Sequence, residues 1–205
     1  MNYKNRVLYQ HYTGGYLNKI LNKYKINTIN RSISVSQLTK KYKTEKDLFK
    51  AFQDQSKRPI ELLAYDLYQA QIKDCGKAEY DLGVCYHYIY NLFIYQTTKG
   101  FNMEDKLVEE LRKYKLQAER VDSSIDNTYA VDLVVKNGDD ILYYIQLKPV
   151  SYKYTDSSIK NMNLTKNANL QHPVLYVYYN DKGEFENLKE LVEIEMLGGI
   201  ESLYF

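Results

Sequence analysis

Two apolar segments joined by an Asn-Gly pair constrain the fold more than any other feature of the sequence. Residues 129–136, YAVDLVVK, and residues 141–148, ILYYIQLK, are rich in the β-branched and aromatic side chains typical of strands. The linker NGDD between them begins with Asn-Gly, which favours the tight turn of a β-hairpin. The sequence therefore predicts two antiparallel strands, and a turn in the middle of that linker places residue 132 close to residue 145.

The segments around the hairpin predict an α/β fold. The predicted elements are an amphipathic helix over 103–114, short strands over 118–121 and 173–180, helical character in the middle of 151–172, and an acidic final helix over 186–197. With the hairpin included, the order is helix, three strands, helix, strand, helix. This order is typical of helices packed on a mixed sheet.

The N-terminal half of the chain has helical patterns instead. Residues 44–54 begin with a cap-forming threonine and place their large apolar residues on one face. Residues 82–98 predict a largely buried helix that ends at Gly100. We therefore expect a largely helical N-terminal region, residues 1–98, followed by an α/β core, residues 99–205.

Glu104 interrupts an apolar pattern in the predicted helix. It lies three, four and seven residues before Leu107, Val108 and Leu111, so it belongs to the same inward-facing stripe. A carboxylate directed at a core requires a cation, a metal ion or a proton. The alternative is a harmless glutamate in the first helical turn, where the helix dipole favours negative charge.

The hairpin strands contain further polar residues at apolar places. Asp132 lies within a run of valine, leucine and alanine, and an unpaired aspartate is costly to bury. Gln146 and Lys148 share one face at the end of the second strand, because strand side chains alternate. Taken singly, each is also compatible with a strand end that emerges into solvent. Taken together, the hairpin brings Asp132 near Gln146 and Lys148, and the preceding helix can direct Glu104 to the same place.

This arrangement resembles the PD-(D/E)xK nuclease superfamily, which includes many restriction endonucleases. The matching residues are GFNME, 100–104, opening a helix, Asp132 in the second strand, and Gln146-Leu147-Lys148 ending the third strand. The resemblance covers roughly residues 100–180 and implies a restriction-endonuclease-like αβββαβ core. Two positions depart from the common pattern, since Val131 replaces a proline and Gln146 replaces an acidic residue. The helical N-terminal half and the run IQLKPVSYK also resemble MjaI-type restriction endonucleases, which cut at a short palindromic site.

The resemblance implies hydrolysis of phosphodiester bonds in double-stranded DNA, leaving a 5′-phosphate and a 3′-hydroxyl. The expected catalytic residues are Glu104, Asp132, Gln146 and Lys148. Oxygen atoms of Glu104, Asp132, Gln146 and the Leu147 main chain would hold Mg²⁺, for which Mn²⁺ can substitute. The metal would polarise the scissile phosphate and lower the pKa of a bound water. Lys148 would orient or help deprotonate that water and stabilise developing negative charge.

DNA contacts are expected from two parts of the chain. Residues 1–60 contain 13 Lys or Arg and only 3 Asp or Glu, which suits a phosphate backbone. The region 151–172 directly follows the expected catalytic lysine and offers hydrogen-bonding side chains. Its candidate DNA-binding residues are Tyr152, Lys153, Lys160, Asn163, Lys166 and Asn167. A palindromic target implies a homodimer, and the N-terminal region is expected to clamp DNA, to dimerise, or both.

Other functional classes stay open at this point. The same core suits a phage or repair nuclease directed by DNA structure, and a decayed site would leave a non-catalytic DNA-binding protein. Cys75 and Cys85 have no metal-ligand spacing, and their apolar surroundings suggest free thiols in a reducing cytoplasm. The most apolar window, 82–95, is too short and too tyrosine-rich to span a membrane, so no membrane partner is expected.

Overall fold

A computed structural model describes residues 15–26, 35–154 and 157–196. Parts of the predicted N-terminal region, residues 1–14 and 27–34, lie outside the described residues, as does the last residue of the predicted final helix. The chain divides into two compact units between Asn102 and Met103.

The described part of the first unit is helical. Its elements are α1 (residues 15–23), α2 (Val35–Thr39), α3 (Glu45–Gln55), α4 (Ile60–Cys75) and α5 (Leu82–Tyr90). Helix α5 continues into a π-helical turn over Asn91–Tyr95. The predicted cap of α3 is confirmed, because the Thr44 side chain accepts a hydrogen bond from the Asp47 amide. Leu48 and Phe52 of that helix are fully buried in the core of this unit. Across the described residues, no helix is long and apolar enough to cross a membrane.

The predicted helix end at Gly100 is wrong. Helix α6 runs from Gln96 to Lys113 and includes this glycine as an ordinary helical residue. Glycine ends a helix when it adopts the left-handed conformation, as Gly76 does after α4 with a φ of 75°. Gly100 does not adopt that conformation, so it lowers helix propensity without ending the helix.

The second unit contains a four-stranded mixed sheet, which confirms the predicted α/β class. Its strands are β1 (Gln117–Arg120), β2 (Leu133–Asn137), β3 (Asp140–Pro149) and β4 (Val174–Tyr179). They lie in the sheet in the order β1-β2-β3-β4. The β1/β2 and β2/β3 pairs are antiparallel, and β3 and β4 are parallel. The hairpin register agrees with the prediction, because Leu133 pairs with Ile145 and the Asp132 amide donates to the Ile145 carbonyl at 2.8 Å.

A short helix that the sequence analysis did not predict precedes β2, and it includes the first residue of the strand predicted over 129–136. Helix α7, Ser123–Tyr129, begins at an Asp122 cap and ends at Ala130, which is left-handed with a φ of 56°. The strand predicted to start at residue 129 therefore starts four residues later, and Asp132 directly precedes it. The cap and the reversal at Ala130 outweigh the β propensity of the following valine.

Helices cover both faces of the sheet. One face packs against apolar residues of α6 and of α9, Leu188–Met196, including Leu107, Leu111 and Val192. The other face has a smaller apolar cluster around Val134 and Tyr144, which contacts residues of α7 and of the segment after α8, Ser157–Asn167. Between β3 and α8, a 3₁₀ turn spans Val150–Tyr154.

Candidate active site

Asp132 is anchored between two strands. Its amide donates to the Ile145 carbonyl, and its carboxylate oxygen Oδ2 accepts from the Leu147 amide at 2.6 Å. Its side chain is 16% exposed, so the carboxylate is largely buried. The backbone of β3 therefore fixes the position of this carboxylate.

Gln146 and Lys148 lie on the same face of β3, because side chains alternate along a strand. The Lys148 ammonium lies 4.0 Å from Asp132 Oδ2. Gln146 is 1% exposed, and within the described residues its side-chain oxygen Oε1 is buried with no hydrogen-bond partner. A buried oxygen without a protein partner is costly, so this oxygen is available to accept from or bind a ligand.

Glu104 projects from the inner stripe of α6, as expected. The Arg120 guanidinium contacts it at 3.5 Å (Nε to Oε2) and also contacts Asp105 at 3.0 Å. Burial, together with the neighbouring Asp132 carboxylate, raises the pKa of Glu104 to about 8, although Arg120 opposes this shift. Burial therefore favours the protonated form of the Glu104 side chain.

Three carboxyl groups influence one another here. Burial raises the pKa of Asp132, while Lys148 and the Leu147 amide lower it. Burial and Asp132 also raise the pKa of Asp126 in α7, against the opposing charges of Lys148 and Lys166. Sequence reasoning missed Asp126 and Arg120. The Asp122-Ser-Ser cap was the available signal for α7, but nothing local marks Arg120 as the partner of Glu104.

The donor set fits a hard divalent cation. Glu104 and Asp132 offer carboxylate oxygens, and Gln146 offers a buried amide oxygen that lacks a partner. Within residues 15–26, 35–154 and 157–196, no three His, Cys, Asp or Glu side chains are grouped closely enough to hold a metal ion. A metal at this place would therefore be held by fewer than three acidic side chains, and neutral oxygens such as that of Gln146 could complete the ligand set.

Three of the expected DNA-binding residues line a cleft beside Lys148. Tyr152, Lys153 and Lys160 border a cavity of about 320 Å³ together with Leu164, Tyr176 and Tyr178. The Lys148 ammonium lies 5.9 Å from the centre of the Tyr152 ring. Lys153 pairs with Glu186 at 3.1 Å, and the Lys160 ammonium donates to the Lys153 carbonyl.

The other three expected DNA-binding residues lie on α8. Asn163 donates to the Tyr152 hydroxyl at 2.8 Å, and the Lys166 ammonium donates to the Asn127 carbonyl at 2.9 Å. Both side chains are partly exposed. Asn167 is buried, with 8% of its surface exposed, and its amide bonds to protein atoms.

Comparison with known proteins identifies one family. The model of the MjaI restriction endonuclease family matches residues 15–196. Neither curated proteins nor solved structures give a match. The matched range includes all four expected catalytic residues.

Proposed function

This chain belongs to the MjaI restriction endonuclease family, and we propose that it is a Mg²⁺-dependent type II enzyme that cuts double-stranded DNA at a short palindromic site. The family is one of DNA-cleaving nucleases, and restriction endonucleases generally use divalent metal ions. The metal, the type II specificity and the residues that carry catalysis are part of the proposal.

The observation that carries the proposal is the unpartnered Gln146 oxygen on β3, the strand whose Leu147 amide holds the Asp132 carboxylate and whose Lys148 lies 4.0 Å from it. Gln146 is the position that departs from the common acidic pattern. In a decayed site, the Gln146 side chain would be free to turn so that its oxygen accepts a hydrogen bond from a donor within the protein. Instead, its Oε1 is buried without a partner in the described chain. Leaving an amide oxygen in this state costs about 1–3 kcal/mol, which a bound cation would offset.

Each site residue has a role in this proposal. Mg²⁺ held by oxygens of Glu104, Asp132, Gln146 and the Leu147 carbonyl would supply the positive charge that polarises the scissile phosphate. Lys148, 4.0 Å from Asp132, orients the attacking water and stabilises negative charge developing on the phosphate. Arg120 keeps Glu104 in place through its contact at 3.5 Å.

The DNA contacts are proposed to come from the cleft beside Lys148 and from α8. Tyr152, Lys153 and Lys160 line the cleft, while Asn163 and Lys166 extend along the helix. Asn167 is left out, because its buried amide is occupied by protein atoms. The basic residues 1–60 would contact the phosphate backbone, and a homodimer would match a palindromic site.

The test compares cleavage and binding in three proteins. Plasmid and phage DNA are incubated with Mg²⁺ and either the wild type, Asp132→Asn or Lys148→Ala, and binding is measured separately in Ca²⁺. We expect discrete fragments only from the wild type, and DNA affinity within about threefold for all three proteins. Lys189→Ala serves as a control, because Lys189 is an exposed lysine in α9. Cleavage guided by DNA structure would replace the restriction assignment, and equal binding without cleavage in Mg²⁺ or Mn²⁺ would overturn the enzyme assignment.

A further inference from the structure

Both the nitrogen and the oxygen of the Asn167 side-chain amide form hydrogen bonds, and their partners belong to two segments that are distant in sequence. From the end of α8 it donates through Nδ2 to the carbonyls of Tyr129, at 2.7 Å, and Ala130, at 3.3 Å. Its Oδ1 accepts from the Tyr176 hydroxyl at 2.7 Å. With 8% of its surface exposed, Asn167 is one of the few buried polar residues among those described.

The carbonyls that Asn167 holds lie at the turn leading into Asp132. Ala130 is left-handed, with φ 56° and ψ 50°. This conformation is sterically costly for a residue with a Cβ, so the surroundings have to impose it. Val131 is fully buried next to it, and the following residue is Asp132, whose carbonyl accepts from the Val121 amide at 3.2 Å. The direction in which the chain enters the site therefore depends on this turn.

The other partner of Asn167 belongs to the opposite side of the site. Tyr176 in β4 pairs in parallel register with Gln146. Paired residues of neighbouring strands project to the same face of the sheet. The Tyr176 ring also packs on Tyr152, at 6.3 Å between ring centres and 21° between planes. Asn167 thus connects the turn before Asp132 to the strand beside Gln146.

We propose that Asn167 is a positioning residue that holds the left-handed turn at Tyr129–Ala130 and thereby keeps the Asp132 carboxylate beside the Gln146 oxygen for metal binding. This inference rests on the proposed nuclease function for its catalytic consequence, but its effect on metal binding is measured without DNA. Asn167 acts only through other groups and does not touch the substrate.

The first test is Asn167→Ala, with Asn169→Ala as the matched control. Asn169 is exposed, and its side-chain amide donates to the Thr165 carbonyl in the adjoining helical turn, at 3.0 Å. Mn²⁺ binding is measured by electron paramagnetic resonance, and kcat and KM are measured well below the melting temperature. Because supporting residues around a metal site typically contribute 10–100-fold, we expect Asn167→Ala to weaken Mn²⁺ binding about tenfold and lower kcat about 10–100-fold. KM for DNA should stay within about twofold of the wild type, and the control should change neither quantity.

A second variant separates positioning from folding. Glycine adopts the left-handed conformation without a steric cost, so Ala130→Gly lowers the need for an external tether. We expect the double variant Ala130→Gly with Asn167→Ala to regain at least a third of the lost Mn²⁺ affinity. Tyr176→Phe, which keeps the ring and removes one hydrogen bond, should give a smaller loss than Asn167→Ala.

Two results would overturn the proposal. The first is wild-type Mn²⁺ affinity in a folded Asn167→Ala protein. The second is a loss of Mn²⁺ affinity that follows the melting temperature and is not reduced by Ala130→Gly. If the wild type cuts no DNA, the proposed function fails, while the Mn²⁺ measurements still decide the role of Asn167.

Discussion

Glu104 and Asp132 place two partly buried carboxyl groups near one arginine. The pKa of Glu104 is about 8 in the folded protein against an ordinary value of 4.5, so folding favours its protonated form. When folding raises the pKa of an acidic group, the free energy of unfolding falls as the pH rises from the pKa of the unfolded state to that of the folded state. Above pH 8 the metal-free protein therefore bears the full cost of an ionised Glu104.

Replacing Glu104 by Gln is expected to stabilise the metal-free protein at pH 9. The gain is about 1 kcal/mol, or about 2–4 °C in melting temperature, and it should vanish near pH 4, where the carboxyl is protonated in both states. Arg120 keeps Asp105 as a partner in the variant. Mg²⁺ should raise the melting temperature of the wild type more than that of Glu104→Gln, because the variant binds the ion less well.

Thermal unfolding in EDTA and in Mg²⁺ measures both effects. Glu109→Gln, an exposed glutamate on the same helix, serves as the control and should not change the melting temperature. A Glu104→Gln protein that melts at or below the wild-type temperature at pH 9 would contradict the inferred burial of this carboxyl.

We expect cleavage to be less affected by an added negative charge at position 146 than by the loss of the Gln146 side-chain oxygen. Gln146→Glu retains an oxygen at the same place and adds the negative charge common at this position, so we expect cleavage with an altered Mg²⁺ to Mn²⁺ preference. Gln146→Ala removes the unpartnered oxygen and should lower the cleavage rate about 10–100-fold. Rates are measured in both metals, with the exposed Gln117→Ala as control. Full activity in Gln146→Ala would remove this residue from the site.

At the scale of elements, two glycines with open space around them predict opposite effects on stability. An added Cβ meets no heavy atom within 4 Å at Gly100 or at Gly138, so packing does not distinguish them. Gly100 is helical, whereas Gly138 has a φ of 62° in the hairpin turn. Alanine at Gly100 should raise the free energy of unfolding by about 0.5–1 kcal/mol, and alanine at Gly138 should lower it by about 1 kcal/mol. Urea unfolding measures both, and equal signs would show that backbone conformation is not the deciding factor.

The elements that the sequence predicts best are those determined by local signals. The Asn-Gly turn predicts the β2/β3 pairing, and Thr44 predicts the start of α3, because both depend on residues a few positions apart. Helix α7 was missed because it has seven residues, too few for a clear helical period. The register shift between Val135 and Lys136 also has no local signal.

The candidate site shows the same division. Glu104, Asp132, Gln146 and Lys148 stand out in sequence because each interrupts an apolar run. Arg120, Asp126 and Asn167 acquire their roles only through partners distant in sequence, such as Tyr176 for Asn167. No pattern within α8 distinguishes the buried Asn167 from the partly exposed Asn163.

At the scale of the whole molecule, one chain contains one copy of the proposed catalytic site. A duplex has two strands, and a palindromic sequence presents the same groups to two copies related by a twofold axis. A homodimer would therefore cut both strands, one with each subunit.

Mixed dimers test this arrangement. Wild-type and Asp132→Asn subunits with different tags are produced together, and the mixed species is isolated through both tags. Because only one subunit of this dimer is active, we expect it to convert supercoiled plasmid to nicked circles, whereas the wild type with both tags gives linear DNA. Gel electrophoresis separates the three forms. Linear product from the mixed dimer at the wild-type rate would mean that one subunit cuts both strands in turn, and the dimeric mechanism would then be wrong.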